Sequence, residues 1–277
     1  MNPSTLIQKD IFSLISTNKD EDALKICNEL LNDYGNSDFL YKALGLIFFK
    51  KKEFSKSIDL FLNSLNFNEN QADVLNNLGV CFKENKQFEN SILYYKKAIE
   101  INPNYAEAYI NLGISQKNLE QYEASINNFK KALELQPQNY NIYFYIGMVF
   151  QIYQKYELSV DYLLNFIEKV PDNINGLYNL SLSYKFLKKY TDSNLYLKKV
   201  LSINNNHYES LCLIAGNYYK LNDLKNSKDY FLKAYALNFK DINNLSNISR
   251  IYIFENNLDK AETFINKALE LDPNNAE

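Results

Sequence analysis

Asn77, Asn111, Asn179 and Asn247 stand 34 or 68 residues apart. A carboxamide offers one donor group and one acceptor, so it matches the backbone of a peptide of any sequence. It is also a poor occupant of a helix interior unless something uses it. Residues suited to covalent or metal chemistry are scarce by comparison. His207 is the only histidine, and Cys27, Cys81 and Cys212 are far apart, with no CxxC pair. That spacing excludes a structural zinc site, and the thiols read as small buried groups of a reducing compartment. There is no Gly-rich phosphate loop, no nucleophile elbow and no HExxH. The expectation is a non-enzymatic chain that needs no cofactor.

Composition narrows the class. Hydrophobic residues make up 46% of the 277, enough for a substantial core, while 7 Gly and 5 Pro are too few for a protein rich in turns. Long stretches therefore run without breakers, which predicts helices. A formal net charge of −3 gives no footprint for nucleic acid or an anionic membrane. The first twenty residues lack a basic n-region, and charge interrupts their apolar positions, so they do not read as a signal peptide. No apolar run approaches the roughly 18 residues of a membrane span. A soluble, cytoplasmic protein without membrane insertion is expected.

Internal repetition sets the architecture. Residues 106–139 lie over 72–105 at an offset of 34 without a gap, and the register continues in units beginning at 4, 38, 72, 106, 140, 174, 208 and 242. The eighth position is small (Gly45, Gly79, Gly113, Gly147, Ser181, Ala215, Ser249), and so is the twentieth (Ala23, Ser57, Ser91, Ser125, Ser159, Ser193, Ser227, Ala261). Small residues twelve apart imply two helices that cross closely. The seventh and twenty-fourth positions, such as Leu112 and Phe129, are large and fill the space beside the crossing. Pro103, Pro137, Pro171 and Pro273 recur at position 32, where proline ends the second helix.

Tyr109, Leu112, Gly113, Tyr122, Phe129, Ala132 and Pro137 together give unit 106–139 a pattern that resembles the tetratricopeptide repeat family. The resemblance covers essentially the whole chain. It implies an all-α fold, a right-handed superhelical α-solenoid of antiparallel helix pairs. Residues 1–37 are expected to form a degenerate capping repeat, with Asp10 where leucine is usual. Residues 38–277 are expected to hold seven tandem units (38–71, 72–105, 106–139, 140–173, 174–207, 208–241 and 242–275) in one continuous solenoid. Serine replaces the usual alanine at position 20 in six units, and each hydroxyl is expected to bond a carbonyl one turn back. Phe166 replaces the usual alanine at position 27 and predicts looser or re-angled stacking there.

In the family, the first helices line a concave groove, and positions 2, 5, 6, 9, 12 and 13 face it. The spaced asparagines at position 6 are similar to the asparagine ladder of the O-GlcNAc transferases, which holds an extended peptide. The resemblance therefore implies a peptide-binding groove of Asn77, Asn111, Asn179 and Asn247, with apolar Ile110, Phe144, Tyr145, Met148, Tyr178, Leu182 and Leu213 concentrated in its middle. Such aromatic anchors carry a disproportionate share of binding energy. The family's clamp for acidic chaperone tails is not reproduced, because Leu46, Glu107 and Asn111 occupy three of its five places. The implied partner is a protein or peptide, not nucleic acid. An alternative is that the chain is the N-terminal arm of a larger glycosyltransferase or sulfotransferase, recruiting substrate proteins. The last hairpin has no capping helix, so self-association or a further domain is expected at that end.

Overall fold

The computed structural model describes residues 3–273, so the last two residues of unit 242–275 lie outside the described residues. Among the described residues every regular element is an α-helix. Contacts divide the chain into two compact units, one ending at Ile142 and the other starting at Tyr143. The first contains α1 (Thr5–Ser16), α2 (Asp20–Tyr34), α3 (Asp38–Lys50), α4 (Phe54–Phe67), α5 (Ala72–Glu84), α6 (Phe88–Ile101), α7 (Ala106–Asn118) and α8 (Tyr122–Leu135). The second is built from α9 (Asn141–Ile152), α10 (Tyr156–Lys169), α11 (Ile174–Phe186), α12 (Tyr190–Ile203), α13 (Tyr208–Lys220), α14 (Leu224–Leu237), α15 (Ile242–Phe254) and α16 (Leu258–Leu271). Each 34-residue period thus contributes one pair of helices.

The turn inside each pair is set by one residue. Asn18, Lys52, Lys86, Glu120, Gln154, Lys188, Asn222 and Asn256 all occupy position 15, and all have φ of 56–60°. This left-handed conformation crowds Cβ against the following carbonyl. Replacing the exposed Lys188 by glycine is therefore expected to stabilise the protein by about 0.5–1 kcal/mol, the relief of strain exceeding glycine's extra entropy in the unfolded chain. A urea midpoint that fell instead would contradict this.

Helix stops are more varied than prolines alone predict. From α4 onward the second helices end at the same register position with or without proline. With or without the proline, Asn68, Asn102, Asn204 and Asn238 at position 31 accept the backbone N–H two residues on, at 3.1–3.2 Å. These Asx-turns offer the chain an alternative to the next helical bond. Much of the asparagine in this sequence therefore serves as punctuation.

Packing inside each pair follows from absent or small side chains. A Cβ placed on Gly45, Gly79 or Gly113 falls 2.5–2.9 Å from the ring of Phe61, Tyr95 or Phe129, the position-24 residue of the same period. The serines at position 20 differ from expectation. Ser57, Ser125, Ser159 and Ser227 donate to the carbonyls of Gly45, Gly113, Gly147 and Ala215 on the partner helix, at 2.7–2.9 Å. Only Ser91 bonds one turn back, to the Phe88 carbonyl at 2.7 Å. The close crossing puts the first helix's carbonyl nearer than the hydroxyl's own helix. Several of these serines also reach the next pair: Ser91 meets Ser115, Ser159 meets Ser183, and Ser193 accepts from Asn217.

Phe166 does not loosen its junction. It is buried, and Gly176 on the next first helix makes room, since a Cβ there would lie 2.6 Å from the Phe166 ring. A second feature had no sequence expectation. Positions 11 and 23 form facing aromatic pairs in five periods, from Phe82–Tyr94 to Tyr252–Phe264, with centroids 5.2–5.8 Å apart. In 106–139 both members are amides, and Asn128 donates to Gln116 at 2.7 Å instead. Lysines of the second helices ride on these rings, as Lys97 does on Tyr94 and Lys199 on Tyr196. Their stems cover aromatic surface while the ammonium stays in water.

Candidate functional site

In the first compact unit the anticipated groove residues are Asn77, Ile110 and Asn111. Asn77 and Ile110 are half-buried. Asn111 is only 9% exposed, and its Nδ2 donates to Asn76 Oδ1 at 3.1 Å, tying α7 to α5. That donor is already engaged within the fold. Lys42, which with Asn77 fills the two remaining places of the acidic-tail clamp, is ion-paired with Asp73.

In the second unit, Phe144, Tyr145 and Met148 are half-buried on α9. The Phe144 ring packs 5.3 Å from Phe166 and 6.2 Å from Tyr145. Asn179 donates from Nδ2 to the Asn175 carbonyl at 2.8 Å, and its own carbonyl accepts from Gln151. Tyr178, Leu182, Leu213 and Asn247 come together, lining one cavity of about 580 Å³ between α11, α13 and α15. That volume falls in the range, about 300–1,000 Å³, of sites that hold small ligands or side chains.

Sequence reading missed much of this cavity's lining. Beside Cys212, a groove residue at position 5 of the register, Phe231 adds apolar surface, Lys185 and Lys220 add positive charge, Glu209 and Asp241 negative charge, and Asn243 and Asn244 amides. Gly216 opens the space. Position 9 is Leu46, Val80, Ile114, Met148 and Leu182 in the preceding periods, and glycine here. The contrast is visible in the sequence once the register is known.

Hydrogen bonds order the acidic end. Tyr208 donates its hydroxyl to the Asp241 carboxylate, and Asp241 also caps α15 by accepting the Asn244 N–H at 3.0 Å. Burial, reinforced by that carboxylate, pushes the Tyr208 phenol well above its usual range. Burial likewise raises the Cys212 thiol and the Tyr178 phenol, so neither ionises near neutrality. His207 caps α13, its Nδ1 accepting the Ser210 N–H at 3.2 Å. Its ring lies 5.4 Å from Tyr178. The histidine's role here is to end a turn and start a helix.

The tetratricopeptide repeat profile matches residues 72–105, 106–139, 174–207, 208–241 and 242–275, more than half of the chain. The chain belongs to the tetratricopeptide repeat family. The matched boundaries coincide with the 34-residue register at both ends of every unit. Solved structures of other tetratricopeptide repeat (TPR) proteins share the fold. The C-terminal part of a TPR repeat-containing protein from Cytophaga hutchinsonii superposes with a TM-score of 0.76 at 20% identity, covering 84% of this chain and 96% of that one. PilF of Pseudomonas aeruginosa gives 0.60 at 20% identity, covering 73% and 92%. A chain of the APC/C hetero-tetramer Cut9–Hcn1 gives 0.56 at 16% identity, covering 93% and 51%. At these identities the likeness is one of fold. No curated protein sequence matches the chain. Among the described residues, no helix is long and apolar enough to cross a membrane, and no three His, Cys, Asp or Glu side chains cluster to hold a metal ion.

Proposed function

We propose that this TPR chain is a non-enzymatic scaffold that holds an extended segment of a partner protein against its first helices. The carrying observation is the cavity between α11, α13 and α15, where apolar walls, amides and charges of both signs converge. Asn247 supplies an amide that makes no hydrogen bond among the described residues, while Tyr178, Leu182 and Leu213 supply apolar surface. A net gain of ~0.5–1.5 kcal/mol per hydrogen bond makes the amides weak alone. The apolar residues therefore select the partner, and the amides hold its backbone. Phe144, Tyr145 and Met148 extend the apolar character of the groove along α9, and in the first unit Ile110, Asn77 and Asn111 are the corresponding groove positions. The first helix pair acts as a cap, consistent with the exposure of Asp10 at a position that is leucine or isoleucine in later periods.

The combined variant Tyr178→Ala, Leu182→Ala, Asn247→Ala tests this. It is expected to lose the proteins captured by the wild type in a pull-down, by at least about tenfold, while its helical circular dichroism is retained. An unchanged partner list from a folded variant would exclude the groove.

The transferase-arm reading is favoured by one feature. Position 24 is 0–4% exposed from Cys27 through Phe231, whereas Ile265 is 38% exposed, and Leu258, Leu269 and Leu271 are exposed with it. Apolar surface of this kind is a site for a further element or a second copy. A native reading frame stopping at Glu277 would end the arm reading, and strictly monomeric light scattering at high concentration would end self-association.

A further inference from the structure

Asparagine is a chemically labile residue, and its lability depends on the residue that follows. The backbone nitrogen of that residue attacks the asparagine Cγ. A succinimide ring forms, the Cγ–Nδ2 bond breaks, and the side-chain nitrogen leaves as ammonia with the attacking nitrogen's proton. Water then opens the ring at either carbonyl, giving aspartate or isoaspartate. A side chain on the attacking residue crowds the ring, and glycine has none. Asn175–Gly176 is the only Asn-Gly pair in the sequence; every other asparagine is followed by a residue with a side chain. The Asn175 side chain is exposed, so water reaches the ring.

Packing put the labile pair here. Gly176 is buried, and a Cβ on it would lie 2.6 Å from the Phe166 ring, so no larger residue fits beside Phe166. The same register position carries a side chain in the other periods, as at Leu40, Val74, Ala108 and Ile142. The fold then closes the pair. Both residues lie in the first turn of α11, where helical φ/ψ angles keep the Gly176 nitrogen off the line of attack on Asn175 Cγ. Asn173 caps that turn, its Oδ1 accepting the Gly176 N–H at 2.8 Å. The proton that must leave is therefore the one the cap holds. Ring closure requires the first turn of α11 to open, and helix ends open at a lower cost than a whole domain.

The two products differ in what the helix tolerates. Aspartate at 175 puts a carboxylate at position 2, where Asp73, Glu107 and Glu209 stand in other periods, and negative charge is favourable in a first turn. Isoaspartate adds a methylene to the backbone between Asn173 and Gly176. That shifts Gly176 from beneath the Phe166 ring and from the cap, so the turn does not reclose.

We infer that Asn175–Gly176 is a deamidation site gated by the α11 cap. Asn173 holds it closed in the folded chain, and it reacts when the first turn of α11 opens.

The test incubates the full chain, folded and in urea, in mildly alkaline buffer. Mass spectrometry of the 170–185 tryptic peptide follows the change from amide to acid, with fragmentation to place it, and isoaspartyl methyltransferase labelling measures the isoaspartate. Residue 175 of the wild type is expected to react at least about tenfold more slowly folded than in urea. Asn173→Ala, which removes the cap, is expected to react about fivefold faster than the wild type when folded and at the wild-type rate in urea. Asn173→Asp keeps a capping oxygen and is expected to keep the protection. Ser37→Ala removes the cap at the same register position of α3, where Ser37 accepts the Leu40 N–H at 3.2 Å, and is expected to leave the rate at 175 unchanged. Equal rates for the folded and unfolded wild type, or conversion at another asparagine of the peptide in place of 175, would overturn the site. An unchanged rate in folded Asn173→Ala, or an equal acceleration by Ser37→Ala, would overturn the gate at the α11 cap.

Discussion

Phe166→Ala is expected to lower stability by about 3–5 kcal/mol, and Gly176→Ala by about 1–3 kcal/mol, yet the double variant should lose less than the sum of the two. Phe166 is 1% exposed, so truncating it removes a full aromatic ring from the core and leaves a cavity. Gly176 fails for the opposite reason, because its new Cβ would sit 2.6 Å from the Phe166 ring and 2.7 Å from Ile167. Remove the ring first and the same methyl enters the space it vacated. The double variant reproduces Ala98 and Ala108, which occupy the same two register positions and pack together in the first unit. Helix propensity adds a gain of up to ~1 kcal/mol for replacing glycine. A coupling energy of about 1–3 kcal/mol from urea titrations is therefore expected. Strict additivity would mean that Phe166 and Gly176 do not share one space.

That pair also marks where the sequence was legible and where it was not. The 34-residue period, the helix pairs and the small-against-large packing all follow from residue volume, which a sequence states directly. Phe166 stood out as a departure, but its compensation lay ten residues away in the next unit, at a position with no fixed size in the repeat. Hydrogen bonds were harder to read. Ser159 has several carbonyls and hydroxyls within reach in principle, and only the crossing geometry sends it to Gly147 and Ser183. Asn111 is the same case. Its position suggested a ligand-facing amide, but whether an amide meets solvent or a neighbouring amide depends on how closely α5 and α7 approach, and here Asn76 is within reach. Gly216 carried the clearest unread signal. A glycine in a helical run usually reads as a packing residue, and the emptiness around it appears only in three dimensions.

Tyr95→Phe is expected to stabilise the protein by about 1–3 kcal/mol, an unusual sign for a change in a fully buried residue. Position 24 is phenylalanine in three other periods, at Phe61, Phe129 and Phe231, so the ring is common and the hydroxyl is the exception. That hydroxyl is buried without a hydrogen-bond partner. Removing it keeps the ring beside Gly79 and discards an unpaired polar group. The same group leaves a signature at high pH. Burial pushes the Tyr95 phenol far above its ordinary value, so above pH ~10 the unfolded chain releases this proton and the folded chain keeps it. Stability is therefore complete below pH ~10 and falls above it, by about 1.4 kcal/mol per pH unit from this residue. Tyr105, pushed up to about 12 by burial and then by Glu107, adds its own loss above pH ~10. Cys27 and Cys81, both pushed up to about 11 by burial, begin theirs above pH ~8.5. Tyr95→Phe should thus raise the urea midpoint at pH 7 and make the alkaline decline shallower above pH ~10, leaving the earlier thiol contribution unchanged. A variant less stable at neutral pH would show that the hydroxyl is satisfied. A variant with an unchanged alkaline slope would show that the phenol ionises in the folded protein as readily as in the unfolded chain.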